Sequence, residues 1–254
     1  MKIGMVRSIC LLSALSALSF LAPASGFGQE AVSPARLSLA EVVEHLTERN
    51  AQRAADLAGY RSRRTYQLEY KGFPRGMQAE LIVDLKYQAP NREEFNVVSE
   101  TGPKWMVNMV LKRILETEQE SISDKNRASV QITGENYNFA FADSKATGDT
   151  CSYILEAEPK SPTKFLFRGK VWVDDRDFAI CRIEAEPAKN PSFWIKKTEI
   201  HHAFQHVGEF WLPQENVSVS HVRFDGRATL TIKYGEYEVQ TVHAQALAAP
   251  VRAD

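Results

Sequence analysis

Apolar and polar residues alternate with a period of two along most of the chain, as is typical of strands that bury one face. The alternation begins near Arg63, and Tyr66, Leu68 and Tyr70 share one parity. A turn-forming stretch at 72–76 separates this run from the next. We predict further strands at 80–87, 94–99, 136–143, 150–158, 164–174, 178–186, 193–206, 209–222 and 227–240.

Two segments depart from this period and predict helices. Ser38 and Glu41 have the spacing of a capping box, in which each residue satisfies a terminal amide of the other. An apolar stripe follows, and we expect the helix to end at Gly59; the stripe contains Leu39, Val42, Val43, Leu46, Ala54 and Leu57. Pro103 opens a second helix, whose apolar residues are Trp105, Met106, Met109, Val110, Ile114 and Leu115. Its acidic end, with Glu116, Glu118 and Glu120, is expected to be solvated.

The predicted fold class is mainly β with helices (α+β). The last strands run about 13 residues each, a length that usually belongs to a strongly curved sheet or a barrel. We predict a strongly curved antiparallel sheet of about 10–11 strands, with two helices covering part of its concave face. Two helices can cover such a face only partly, so side chains or a ligand must fill the remaining apolar area. The predicted domain spans residues 38–243, between a tether at 29–37 and a C-terminal tail at 244–254.

Residues 1–28 have the pattern of a cleaved secretory signal. Lys2 and Arg7 supply the positive end, residues 9–22 form an apolar run, and small residues at 22–26 offer cleavage sites. An N-terminal membrane anchor is the alternative, although the run is shorter than the roughly 20 residues that a spanning helix needs. Cys10 lies inside the apolar run, which argues against lipid anchoring. We expect a soluble, exported protein after cleavage.

Composition and motifs exclude several function classes. The chain has 31 Lys and Arg against 32 Asp and Glu, with a net charge of −1. We therefore expect no broad basic surface for nucleic acid. The sequence contains no GxSxG elbow, no HExxH, no glycine-rich phosphate loop and no CxxC. We expect a protein that is not an enzyme and needs no cofactor.

Two clusters of titratable residues are interpreted without a metal. His201, His202 and His206 fall in a predicted strand. There the first two face opposite sides and the last two lie about 13 Å apart, too far to chelate one ion. The aspartates at 174–177 lack the rest of a calcium loop, so they predict a hairpin turn. No metal site is expected.

The two cysteines of the predicted domain, Cys151 and Cys181, fall in different predicted strands with a third strand between them in sequence. In a simple meander they would lie roughly 10 Å apart or more, whereas a disulfide needs Cα atoms within about 7 Å. We expect two free, half-buried cysteines, with a disulfide as the alternative if the meander is wrong.

Several motifs, in order and spacing, resemble the outer-membrane lipoprotein-sorting proteins, the bacterial family related to the periplasmic lipoprotein carrier. They cover roughly residues 40–240 and comprise APNREEF at 89–95, NYNF at 136–139, FLFRGKVWVD at 165–174, FAICRIE at 178–184, PSFW at 191–194 and GEFWLP at 208–213. The resemblance implies an unclosed half-barrel whose apolar concave face is lidded by helices and holds acyl chains.

Candidate binding residues follow from this implied cavity. We assign its wall to the alternating apolar residues Leu81, Val83, Leu85, Phe95, Val97, Phe165, Phe167 and Val171. We assign its lid to Trp105, Met106 and Met109, because methionines adapt to variable apolar ligands. The well-known carriers place a lid-holding Arg just before the Pro-Asn turn, where this chain has Ala89. That role is therefore not carried over, and delivery of lipoproteins in the strict sense stays open.

Three functions remain as hypotheses. The first is a monomeric, non-catalytic carrier of lipid acyl chains or lipoproteins in outer-membrane lipoprotein sorting. Its partners would include envelope membrane proteins that load or receive the cargo. The second is a protein-interaction or sensing module of the envelope on the same scaffold, since a fold does not fix a function. The third, a hydrolase, rests only on unassigned Ser, His and Asp residues.

Overall fold

The computed structural model describes residues 37–143, 151–190, 192–223 and 226–244. The predicted signal, almost all of the tether and nearly the whole C-terminal tail lie outside these residues. The helical elements are α1 (Leu39–Asp56), α2 (Lys104–Met106), a π-helical turn (Val107–Leu111), α3 (Lys112–Ile122) and a 3-10 turn (Arg127–Val130). No helix in the described ranges is both long and apolar enough to cross a membrane.

The strands form one sheet of ten, as the alternating pattern predicts. They are β1 (Leu57–Lys71), β2 (Met77–Gln88), β3 (Arg92–Thr101), β4 (Tyr137–Phe141), β5 (Tyr153–Pro159), β6 (Phe167–Val173), β7 (Ile180–Pro187), β8 (Ile195–Val207), β9 (Phe210–Val222) and β10 (Gly226–Thr241). Their order is β3-β2-β1-β10-β9-β8-β7-β6-β5-β4, and every neighbouring pair is antiparallel. Among the described residues no pairing joins β3 to β4, so the predicted unclosed sheet is confirmed.

Helix α1 begins at the predicted capping box. The Ser38 backbone N–H donates to the Glu41 carboxylate at 2.8 Å, and the Glu41 N–H donates to Ser38 Oγ at 3.3 Å. The helix ends at Asp56, three residues before the predicted stop at Gly59. Gly59 instead pairs with Gln88 inside β1, and a Cβ there would lie 2.5 Å from the Tyr87 carbonyl oxygen. The glycine therefore permits close strand contact and does not end the helix.

Residues 104–122, which we call the covering segment, run continuously from α2 through the π-helical turn to α3. Gly102 precedes the segment with a φ of 100°, a left-handed conformation that favours glycine. The inner face of the segment buries Met106, Val107, Leu111 and Leu115 against the sheet. Its outer face exposes Met109 and Trp105.

Two apolar clusters, one under each helical cover, stabilise the concave face. The first joins Val42 and Leu46 of α1 to strands β4–β7 through residues such as Leu155 and Val171. The second joins the covering segment to β1, β2 and β10 through Tyr66, Leu81, Val83 and Ile232, among others. Because the clusters lie under different helices, each half of the sheet has its own core.

The expectation of free cysteines is wrong, because Cys151 and Cys181 form a disulfide with Cα atoms 6.5 Å apart. The meander of β5, β6 and β7 itself is as predicted. However, Cys151 precedes β5, whose first residue Tyr153 pairs with Val173, the last residue of β6. Cys151 thus lies beyond the end of the intervening strand, where it can reach Cys181 on β7.

Candidate functional site

The concave face beneath the covering segment is the apolar surface on which the predicted cavity wall falls. Leu81, Val83 and Leu85 of β2 are buried, and Leu81 and Val83 belong to the same apolar cluster as the inner face of the covering segment. Val171 is fully buried too, but it lies in the other half of the sheet, near α1. The structure therefore divides the predicted wall between two covers and does not gather it around one space.

The remaining predicted wall residues are less buried. Phe95 packs against the cluster under the covering segment, and Phe167 packs against the cluster under α1. Phe165 is half-buried beside the Lys164 ammonium, which lies 4.8 Å from its ring centre. Val97, on the edge strand β3, is 43% exposed. These positions follow the strand alternation only partly, because an irregularity in the β2–β3 pairing lies next to Val97.

Only one of the three predicted lid residues faces the sheet. Met106 is buried, whereas Trp105 is 53% and Met109 is 74% exposed. Val107, Leu111 and Leu115 complete the inner face. They are spaced four residues apart, which accommodates the π-helical turn. Trp105 and Met109 lie one turn apart on the neighbouring face, so the sequence pattern alone could not separate the two faces.

A buried cluster of charged and phenolic groups lies at the α3 end of the covering segment. Arg64 of β1 is 4% exposed and donates to the Glu118 carboxylate at 2.8 Å and to the Tyr60 hydroxyl at 3.1 Å. A carboxylate oxygen of Glu93 lies 3.6 Å from its guanidinium. The Tyr66 hydroxyl donates to Glu118 at 3.0 Å. The cluster thus connects the covering segment to β1 and β3 through charge.

Sequence reasoning missed this cluster. Glu118 was expected to be a solvated end of the helix, but its side chain is only 25% exposed and is paired with Arg64. The sequence did contain an indication of this cluster. Arg64 alternates in step with Tyr66, Leu68 and Tyr70, so it lies on the same inward face of β1. An arginine at an inward position of a strand needs a buried partner, but sequence alone could not say which carboxylate supplies it.

Burial shifts the titration of this cluster. It raises the pKa of Glu118 to about 7, with Arg64 opposing the shift and Glu93 adding to it. Burial also raises the pKa of Glu93, again partly offset by Arg64, and raises the pKa of Tyr60 to about 12. Glu118 is therefore a carboxyl group that changes its charge near neutral pH, at the contact between cover and sheet.

His202 of β8 adds a second perturbed group to the concave face. Its ring stacks on Phe204 with centroids 4.3 Å apart, and its Nε2 atom is buried without a hydrogen-bond partner. Burial, together with repulsion from Arg64, lowers the pKa of His202 to about 4. The group is therefore neutral at physiological pH and behaves as part of the aromatic packing.

The strip of concave face between the two covers is polar. Asn216 of β9 pairs with both His202 of β8 and Ile232 of β10, so these three side chains share the concave side. Ser218 and Ser220 follow at the same parity, and the Ser220 hydroxyl lies 2.8 Å from that of Thr198. The apolar area of the concave face is thus under the helices, and the area between them is hydrophilic.

The described residues enclose a small cavity beside α1. A cavity of about 290 Å³ lies between α1 and strands β7–β9, with Ala54, Ile180, Phe204 and Leu212 in its wall. A larger depression of about 710 Å³ is lined in part by Glu156 and Lys170. These two residues alternate along β5 and β6 with the core residues, so their side chains lie on the other face of the sheet. Side chains of the two covers pack on the apolar face in the described part of the chain, so an acyl chain beneath a cover would have to displace them.

The histidines and aspartates do not assemble a metal site in the described part of the chain, where no group of three His, Cys, Asp or Glu residues converges. His201 and His202 lie on opposite faces of β8, as the strand prediction requires. Asp174 accepts hydrogen bonds from the backbone N–H groups of Arg176 and Asp177 at 2.9 and 3.1 Å. The predicted hairpin turn is confirmed.

Comparisons with known proteins identify solved structures of similar fold. No protein-family model matches the chain, and no curated protein matches it. An outer membrane lipoprotein-sorting protein domain from Vibrio parahaemolyticus is 14% identical over 79% of this chain and 92% of that one, with a TM-score of 0.39. A LolA superfamily protein from Nitrosomonas europaea is 8% identical over 81% and 94%, with a TM-score of 0.37.

A third structure is the MucA/MucB complex from Pseudomonas aeruginosa, 8% identical over 84% of this chain and 98% of the matched chain, with a TM-score of 0.23. Such low identities concern the fold alone. The chain is therefore similar in fold to solved structures of outer-membrane lipoprotein-sorting and LolA superfamily proteins.

Proposed function

We propose that this chain is a non-catalytic periplasmic binding or carrier protein that takes up acyl chains of lipids or lipoproteins beneath the covering segment. The observation that carries the proposal is the apolar contact between cover and sheet. Met106 and Leu111 pack there over Leu81 and Val83.

Displacement of the cover by a lipid is energetically reasonable. Burial of one CH₂ group contributes about 0.8 kcal/mol, so a long acyl chain can contribute on the order of 10 kcal/mol. The covering segment leaves the sheet edge after Gly102 and is followed by a turn, so it can move without breaking the pairing of the strands. An acyl chain would then replace the segment's own apolar side chains on the same surface.

Polar contacts at the α3 end hold the cover closed. The Arg64–Glu118 ion pair joins it to β1, and the Gln119 side chain donates to the Glu93 carbonyl oxygen at 3.1 Å. Lys112 and Glu100 form a more exposed pair at 2.7 Å. These contacts would supply the closing function that Ala89 cannot, so opening requires the separation of a buried ion pair.

An engineered cross-link tests whether acyl chains enter under the cover. The Asn91 amide donates to Asp124, just after α3, at 2.6 Å. We would therefore make Asn91→Cys/Asp124→Cys and measure uptake of a fluorescent long-chain fatty acid before and after reduction. The oxidised variant should take up little probe, and reduction should restore uptake. Wild-type protein treated with the same reductant is the control for the native disulfide.

Equal uptake by the cross-linked and reduced forms would show that acyl chains do not enter beneath this segment. Native mass spectrometry of protein purified gently from the envelope complements the test, because it would release and identify a bound lipid. A protein that stays empty after incubation with envelope lipids would count against the carrier proposal.

The envelope protein-interaction module remains the second candidate. One observation favours it: β3 is an edge strand of the sheet, and its neighbouring residues Val97 and Val98 are 43% and 46% exposed. An edge of this kind can pair with an extended segment of another protein. Recovery of one stoichiometric protein partner, together with an empty concave face, would favour this function over the carrier.

A further inference from the structure

Several loops lie next to one another at one end of the sheet. Lys71, the last residue of β1, pairs with Arg227 near the start of β10. A Cβ on Gly72 would lie 3.0 Å from the Gly226 Cα, so the β1–β2 turn contacts the start of β10. The Arg223 N–H, just after β9, donates to the Trp194 carbonyl oxygen at 2.8 Å, which joins the loop before β8.

The covering segment begins at the same end. Thr101 of β3 pairs with Glu80, and Gly102 lies against Gln78 and Ala79 near the start of β2. Since β2 starts beside the end of β1, the first turns of the covering segment adjoin the β1–β2 turn. The termini of six neighbouring strands and the start of the cover thus share one edge of the molecule.

Large apolar side chains are exposed along this edge. Phe73 is 87%, Phe193 is 73% and Trp194 is 57% exposed, and they are joined by Trp105 and Met109 of the covering segment. We call these five residues the aromatic rim. They belong to three separate chain segments. Clustering of such residues at one edge marks an interaction surface, whereas isolated ones need no explanation.

Basic residues accompany the aromatic rim. Exposed side chains of the same loops and strand ends include Arg75, Lys104, Lys189, Lys196, Arg223 and Arg227. The Arg223 guanidinium lies 4.5 Å from the centre of the Phe193 ring and donates to the Phe193 carbonyl oxygen at 2.6 Å. Neighbouring Glu69 is paired with Lys71 at 2.9 Å, so it does not offset these charges. Six exposed basic side chains therefore lie along this edge of a chain whose net charge is −1.

We propose that the aromatic rim is a docking surface for an anionic lipid bilayer. Aromatic side chains are favoured at the headgroup level of a membrane, and basic residues are attracted to anionic headgroups. Separate segments that each present one or two large apolar side chains fit a broad, fluid surface better than a shaped protein partner. Docking would also bring the start of the covering segment to the membrane, a consequence that rests on the proposed carrier function.

Vesicle co-sedimentation with the full chain tests this docking. Vesicles containing phosphatidylglycerol should bind the protein, vesicles of phosphatidylcholine alone should bind it much less, and salt should weaken the binding. Arg75→Gln with Arg227→Gln should weaken binding about 30-fold, because each basic residue near an anionic surface contributes about fivefold. Phe73→Ser with Met109→Ser should weaken it about tenfold or more.

The matched control is Phe141→Ser with Arg176→Gln. Phe141 is 44% exposed at the end of β4, and Arg176 is exposed in the β6–β7 turn, both at the opposite end of the sheet. This variant should bind vesicles like the wild type. No preference for phosphatidylglycerol, an equal loss in the control, or a rim that captures an envelope protein but no vesicle would each overturn the proposal. Fatty-acid uptake measured in parallel without vesicles separates this outcome from a failure of the carrier function.

Discussion

At the scale of single residues, Arg64 shows how one charged side chain can fix the position of a helix. The residue is 4% exposed, and Glu118 and Glu93 supply the opposite charges for its guanidinium. Two charges buried together are costly to desolvate, but separating them is costlier, because one charge then stays in an apolar environment. The ion pair therefore contributes more to the closed arrangement than to the stability of the fold.

Replacement of Arg64 should reveal this cost. Arg64→Met keeps much of the volume but leaves Glu118 and Glu93 without their cation, so we expect a loss of about 3–5 kcal/mol in the free energy of unfolding. Arg63 is the matched control, because it forms an exposed pair with Asp84 on the other face of β1. Arg63→Met should leave stability almost unchanged. Urea denaturation of both variants makes the comparison, and equal losses would contradict a special role for Arg64.

The pH dependence of stability should separate Glu118 from His202. The raised pKa of Glu118 means that the folded state holds its proton longer, so its contribution to stability falls as pH rises from about 4.5 to about 7. The lowered pKa of His202 acts in the opposite sense, because its contribution rises with pH between about 4 and about 6.5. The two effects oppose each other over most of the acidic range.

Single replacements should isolate the contribution of each residue to the pH dependence of stability. Relative to wild type, Glu118→Gln should gain stability as pH rises from 4.5 to 7, by at most about 3 kcal/mol. His202→Phe should lose relative stability as pH rises from 4 to 6.5. Urea denaturation at half-unit pH intervals measures both differences. Parallel profiles for either variant and the wild type would show that the residue concerned does not titrate abnormally.

At the scale of elements, the covering segment has two apolar faces with different consequences. Leu111 is fully buried against the sheet, whereas Met109 is 74% exposed. Leu111→Ala should cost about 2–4 kcal/mol, because it leaves a cavity under the cover, and Met109→Ala should be nearly neutral. Thermal or urea denaturation checks this. Similar effects of the two changes would mean that the segment does not pack on the sheet as described.

Element types could be predicted because they depend on local chemistry. Alternation placed the strands, and the Ser38–Glu41 spacing placed the start of α1. Features that depend on tertiary contacts could not be predicted in this way. Gly59 signals a helix end in sequence but serves a close strand contact. Cys151 reaches Cys181 because it precedes β5 and so lies beyond the end of the intervening strand β6. The buried partner of Arg64 lies 54 residues away in sequence, beyond the reach of any periodicity.

At the scale of the whole molecule, the sheet behaves as two halves with a polar strip between them. Each half has its own apolar cluster and its own cover, α1 on one side and the covering segment on the other. The strip between them includes Asn216, Ser218 and Ser220, which contribute little apolar contact. Because cooperativity within a domain depends on shared buried surface, we expect the two covers to open independently.

Hydrogen exchange should detect this independence. Leu111→Ala removes packing under the covering segment and Leu46→Ala removes it under α1, where Leu46 is fully buried. The first change should speed amide exchange in residues 104–122 and leave α1 protected, and the second should do the reverse. Exchange followed by mass spectrometry of peptides resolves the two helices in one experiment. Faster exchange in both helices after either change would mean that the covers open together. A carrier that opened in this concerted way would expose both apolar clusters at once, whereas independent opening exposes only the surface beneath the cover that moves.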